Sequence, residues 1–258
     1  MIDMLKEPKW DAYDFLIYKT AKELKLPKIL TGDGADELFA GYTFRYSSFL
    51  NQYYSVSSNY FKIHPNELIA LYLQVHRNDF VEDQEDIFVD KLSFTKDIDP
   101  YFKKIFESNL DPLNKVLLAD YNGKLAFNFS LKKKAFAKYY LPIYSPFLQD
   151  DMINFATHLP PHEKYSNGIG KWHLRKIASR YNVFPAEKKL GFTHNIKADW
   201  NNNKDWVLPY LQNPERLIYA RKIINYSWLE KNQYSQEERV INKLVSLFTV
   251  EEYLKWLM

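Results

Sequence analysis

Apolar residues recur along most of this 258-residue chain at the spacing of one helix face, and only briefly at that of a strand. Behind Asp11, a candidate N-cap, come Tyr13, Ile17, Thr20, Ala21 and Leu24, at offsets of four, seven, eight and eleven, which predicts a helix. Leu26-Pro27 ends it. Lys28-Ile29-Leu30-Thr31 is a short apolar run closing in Gly32-Asp33-Gly34, which predicts a strand and a tight loop, with a new helix opening over Asp36 to Phe39. Beyond Tyr42 the pattern is helical. Pro65 stands at a helix start ahead of Leu68, Ile69, Tyr72, Leu73 and Val75, and further helices are expected over Asp150 to Leu159, Lys171 to Tyr181 and Glu237 to Met258. Loops are expected at Ser57 to His64, Glu82 to Asp86 and Asn201-Asn202-Asn203-Lys204, none long enough to mark a domain boundary. A lone buried strand leaves backbone groups unpaired, so Lys28 to Thr31 needs a neighbour, either a further short strand in this chain or one in another sequence.

Composition bounds the classes of function. With 46% hydrophobic residues the chain can bury one large domain or one and a half. Lysine and arginine total 35 against 32 acids, and only 7 of the basic residues are arginine, the side chain best suited to bidentate phosphate and base contacts. A net charge of +3 spread over so large a surface, with so few arginines, speaks against a nucleic-acid partner. The absence of cysteine excludes disulfides, thiolate metal sites and a cysteine nucleophile within these residues. No apolar run approaches a membrane span, and Met1 to Pro8 carries acids and a proline where a signal peptide needs an apolar core. A cytoplasmic protein without membrane contact is the expectation.

The chemistry concentrates in Leu30 to Tyr42, where Asp33, Asp36 and Glu37 share one strand-to-helix turn with Gly32 and Gly34. Ligands of doubly wound sheets bind at the carboxyl ends of strands, and glycines there let phosphates approach the backbone beside a helix N-terminus. Carboxylates in such a place repel phosphate unless a cation intervenes. Asp36, with Asp33 or Glu37 nearby, therefore reads as an oxygen ligand for magnesium bridging to phosphate. Taken as three acids alone, they read rather as Asp36 and Glu37 capping the following helix, with the glycines only making the turn.

The whole string Thr31-Gly32-Asp33-Gly34-Ala35-Asp36-Glu37-Leu38-Phe39-Ala40-Gly41-Tyr42 resembles the Ser/Thr-Gly-Glu/Asp-Gly-Ala/Ser-Asp-Glu-Leu-Phe-Gly-Gly-Tyr signature of the asparagine synthetase family. Three further segments follow in order. Ser145-Pro146-Phe147-Leu148 with Asp151 to Pro161 is similar to the family's Pro-Phe-Leu-Asp helix, Gly170-Lys171-Trp172-His173-Leu174-Arg175 to its Lys-x-x-Leu-Arg helix, and Lys189-Leu190-Gly191-Phe192 to its Lys-x-Gly-Phe element. Leu247 to Leu257 resembles a closing family helix. The resemblance implies an α/β, adenine nucleotide α-hydrolase-like synthetase domain, although this chain is predominantly helical with few short strands. It also implies ATP and Mg2+ as cofactors, adenylation of an amino-acid carboxylate, and amide formation from the acyl-adenylate. On this reading Lys189 and Asp33 are catalytic, Gly32, Gly34, Asp36, Glu37 and Lys171 hold the nucleotide, and Asp36 and Glu37 hold the metal. Without the resemblance, Lys171 would be part of a solvated basic stripe and Lys189 a solvated loop charge.

The resemblance also has gaps. No part of the chain matches the family's Ser-Gly-Gly-x-Asp-Ser loop, which binds pyrophosphate, or its glutaminase domain. Residues 1–258 are accordingly expected to be the C-terminal portion of a synthetase domain. A second chain, or a missing N-terminal half, would then supply the loop, and the exposed strand would drive self-association or partner dependence. Where the family has Glu-x-Arg-x-Pro-Phe-Leu, this chain has Pro142-Ile143-Tyr144-Ser145-Pro146, a family aspartate falls on Lys133, and Gln149 replaces the aspartate after Phe-Leu. Aspartate need not be the substrate. A non-catalytic scaffold or regulatory protein of the same family is the competing expectation.

Overall fold

The computed structural model describes residues 2–8, 13–57, 63–76, 84–89, 94–183 and 195–258. The chain divides into two compact units interleaved along the sequence: Met1–Lys25, Asp79–Leu92 and Gly191–Met258 form the first, and Leu26–Asn78 and Ser93–Leu190 the second. Helices dominate both, as the apolar spacing predicts.

In the second unit the predicted strand exists as β1, Ile29–Leu30, and its neighbour comes from this chain. It pairs in parallel with β2, Ile143–Tyr144, with Ile29 opposite Ile143 and Leu30 opposite Tyr144. The amides of Ile29 and Thr31 donate to the carbonyls of Pro142 and Tyr144, each at 2.9 Å. Ile143 is buried beneath this ribbon while Leu30 and Tyr144 face outward. A hairpin, β3 (Tyr165–Ser166) with β4 (Ile169–Gly170), adds an antiparallel pair.

Helices Thr43–Ser57, Pro65–His76, Phe94–Glu107 and Pro112–Asp120 bury Tyr46, Phe49, Leu68, Tyr72, Phe106 and Val116 in one cluster. The last of them starts at Asp111, whose carboxylate accepts the Asn114 amide at 3.0 Å, with Pro112 at the first helical position. A π-turn, Tyr121–Leu125, joins it to the helix Ala126–Ala137. The extra residue of a π-turn rotates the following face relative to a regular 3.6-residue period, and it fixes which lysine of Lys132-Lys133-Lys134 turns inward.

In the first unit, helices Ile196–Leu211 and Glu238–Trp256 pack together around Trp200, Leu211, Ile218, Leu229, Ile241 and Leu244. Asn201 to Lys204, expected as a loop, lies inside the first of these helices. Three asparagines are poor helix formers, but Ile196, Trp200, Val207 and Leu211 bury one face, and that packing overrides the propensity. The loop expected at Glu82 to Asp86 contains the start of a short helix, Gln84–Ile87, whose Ile87 is buried. Helix Tyr13–Glu23 forms where predicted, yet Asp14, Tyr18 and Ala21 are buried while Thr20 and Leu24 are exposed, so its inner face is turned from the one the apolar spacing gave. Asp11 lies outside the described residues.

Candidate functional site

Every expected site residue that is described lies in the second unit, at the carboxyl end of β1. Thr31 and Gly32 leave the strand, Gly34 turns in the left-handed region with φ +90, and helix Ala35–Leu38 begins at once. A side chain at Gly34 would be strained by that φ and would also meet the Leu148 side chain, which closes over the turn from Pro146–Leu148. Gly32 has open space around it. After Phe39, Ala40 takes φ +59 and Gly41 passes so close to Asp36 that an added Cβ would overlap its carboxylate and the Lys171 side chain.

The three acids of the turn go three ways. Asp33 is gripped by Lys132, whose Nζ lies 3.1 and 3.2 Å from its two carboxylate oxygens, and it accepts the Thr31 hydroxyl at 2.7 Å. Its backbone carbonyl accepts the hydroxyl of Ser145, a buried residue that follows β2 directly. Asp36 pairs with Lys171 at 3.0 Å. Lys171 itself takes φ +56 at the N-cap of helix Trp172–Arg180, and its amide donates to the Phe39 carbonyl at 2.6 Å, which ties that helix start to the turn. Glu37 points inward. It is 4% exposed, Tyr42 donates its hydroxyl to it at 2.8 Å, and burial holds its carboxyl above the usual carboxylate range. The Tyr42 hydroxyl is raised in turn, by burial and by the neighbouring carboxylate.

Asp33, Asp36 and Lys171 are thus brought together around the glycine turn. Glu37 is held apart from Asp36 beneath the turn, in a setting that suits packing and hydrogen bonding rather than a metal. Arg175, read on one face with Lys171, turns back to donate to the Gly170 carbonyl at 3.0 Å. Lys189 lies outside the described residues. A magnesium ion asks for near-octahedral oxygen ligation, and the donor set among the described residues does not fit it. Both oxygens of Asp33 are taken by an ammonium, Asp36 carries another, and Glu37 is buried under a phenol. Among the described residues no three histidine, cysteine or acidic side chains gather as a metal set.

Sequence reasoning missed Lys132. The signal was present in the spacing of Lys132, Ala135 and Phe136, which are all buried and stand three and four positions apart on one helix face. Also missed was Asp120, buried at the foot of the π-turn, where the hydroxyls of Tyr46 and Tyr72 both donate to it at 2.8 Å.

A glycine turn with fixed charges at the carboxyl end of a parallel strand is the ligand-binding corner of α/β enzymes. Consistent with that class, the asparagine synthase family model matches residues 1–254, and the chain belongs to this family of ATP-dependent, amide-forming ligases. Neither a curated protein nor a solved structure matches the chain significantly. Among the described residues, no helix is long and apolar enough to cross a membrane.

Proposed function

We propose that the chain activates an amino-acid carboxylate with ATP and passes it to an amine, asparagine synthase fashion, converting aspartate to asparagine, any Mg2+ arriving with the nucleotide rather than being held by the turn's carboxylates. It would do so only with a partner segment that brings the pyrophosphate loop, because its 258 residues contain no Ser-Gly-Gly-x-Asp-Ser string. The observation that carries this reading is the turn itself. It stands at the end of a parallel strand, with Asp33, Asp36, Lys132 and Lys171 converging on it from three separate stretches of chain. Fixed ammoniums in such a corner can stabilise charge developing on a leaving pyrophosphate, and Lys189 takes the same role by resemblance.

Aspartate-dependent pyrophosphate release, measured with the chain and a segment bearing the missing loop, tests the proposal. Lys189→Ala is expected to lower it by about 100-fold or more, and Lys189→Arg to recover part of the loss because a guanidinium differs in geometry. Release that persists undiminished in Lys189→Ala would remove Lys189 from the reaction. One observation favours the second reading, a non-catalytic scaffold: the turn's outer carboxylates are already neutralised by the chain's own lysines. Absence of pyrophosphate release with every loop-bearing partner and every amino acid tried would favour it.

A further inference from the structure

We infer that Lys132 and Lys171 are built-in counter-ions of the glycine turn, standing where a dication would otherwise sit, so that the chain by itself refuses free magnesium. This does not rest on the ligase reading.

The geometry makes the two lysines part of the turn rather than passing surface charges. The Lys132 side chain is 11% exposed and reaches Asp33 from a helix 99 positions away. The π-turn before that helix, together with the burial of Ala135 and Phe136, sets the side of the helix from which it reaches. Lys171 is fixed at both ends. Its backbone takes a left-handed conformation and donates to Phe39, and Gly170 before it is pressed so close to the Ala40 carbonyl that no side chain fits. Its ammonium then rests on Asp36 at 3.0 Å, over Gly41.

Among the described residues each of these acids thus carries a lysine ammonium and is about one quarter exposed: 24% for Asp33 and 23% for Asp36. A dication entering this turn must break a formed pair and stand beside two displaced ammoniums. Like charges that close disfavour binding strongly, and magnesium must in addition give up tightly held water. The third acid offers no help, since Glu37 is buried on Tyr42.

Mn2+ titration followed by electron paramagnetic resonance, on the full chain without nucleotide, tests this directly. The wild-type chain is expected to show no stoichiometric Mn2+ site below millimolar free metal. The double variant Lys132→Gln/Lys171→Gln is expected to bind Mn2+ at least about tenfold more tightly, and to lose that gain when Asp33→Asn and Asp36→Asn are added. Two results would overturn the inference: a tight wild-type site that disappears in Asp36→Asn, or a folded double variant that binds no better than wild type. Should the double variant fail to fold, the wild-type titration and its Asp36→Asn control decide alone.

Discussion

The two lysines at the glycine turn of the second unit and Lys255 of the first make the same kind of contact and mean different things. At the glycine turn, Lys132 and Lys171 reach acids far away in sequence, and each is positioned by a buried helix face or a backbone constraint. On helix Glu238–Trp256, Lys255 pairs with Glu252 at 3.1 Å, three positions back, with both side chains more than a third exposed. Its ammonium also touches the Tyr210 hydroxyl, which donates to Glu252, while Arg216 stacks 3.6 Å from the same ring. The Lys255–Glu252 pair forms because helix geometry puts neighbours together, and water screens it. The long-range pairs specify where separate pieces of chain meet. A third lysine, Lys164 in the second unit, is buried with its ammonium 2.6 Å from the Asn114 side-chain oxygen and near Asp111.

The contrast breaks most severely at Gly170. An added Cβ would run into the backbone carbonyl of Ala40, which cannot step aside as a side-chain tip can. Gly170→Ala is therefore expected to cost about 3 kcal/mol and to lower Tm by on the order of 10 °C. Gly41→Ala meets only the tips of Asp36 and Lys171, so it should open that ion pair at a smaller cost in stability. Thermal unfolding of both variants ranks them, and a Gly170→Ala chain as stable as wild type would mean that the Lys171 backbone is not fixed by this contact.

Lys164 sharpens the comparison through pH. Burial lowers its pKa from 10.5 to about 8, against a smaller opposing pull from Asp111. Between those two values the unfolded chain holds a proton that the folded chain has released, so stability from this group rises with pH and is absent below about pH 8. Relative to Lys164→Met, wild type should gain about 1–2 kcal/mol between roughly pH 7 and pH 9.5, measured by denaturant unfolding. Exposed Lys255 should show no such window. A gap between wild type and Lys164→Met that stays constant with pH would contradict the burial assigned to Lys164. The buried tyrosines act later and oppositely. Burial raises Tyr46 above its ordinary pKa of 10.0, so the folded chain keeps that proton after the unfolded chain has lost it, and stability falls at higher pH.

Much of this was legible from residues and spacing. The strand, glycine turn and helix at Ile29 to Leu38 follow from an apolar run meeting glycines, and helices Asp150–His158, Trp172–Arg180 and Glu238–Trp256 lie within two residues of their expected ends. The strand's partner was hidden because β2 is two residues long and flanked by Pro142 and Pro146, in a stretch noticed only for departing from the family pattern. Lys132 was hidden by its neighbours. A run of three lysines reads as a solvated face, and the π-turn upstream upsets the period that would have shown which one turns inward. The burial of Glu37 was hidden for the opposite reason. Sequence adjacency to Asp36 suggested a shared metal, whereas successive helical residues point about 100° apart, and here one looks toward Lys171 and the next toward Tyr42.

The smallest effect belongs to Lys255. Removing its charge leaves Glu252 still bonded to the Tyr210 hydroxyl and Arg216 still over the ring, so nothing buried is left without a partner. The pair is exposed and local, and such pairs contribute a few tenths of a kcal/mol that salt erodes. Lys255→Met is expected to change stability by less than about 0.5 kcal/mol at low ionic strength and by less still at about 0.5 M salt. Lys132→Met, by contrast, takes from Asp33 its ammonium and leaves it the Thr31 hydroxyl, and should cost about 1–3 kcal/mol, with less dependence on salt. Denaturant unfolding of the two variants at low and high salt separates the cases. Equal losses with equal salt dependence would mean that Lys132 is no more built into the fold than a surface pair on one helix, and the distinction between Lys132 and Lys255 would fail.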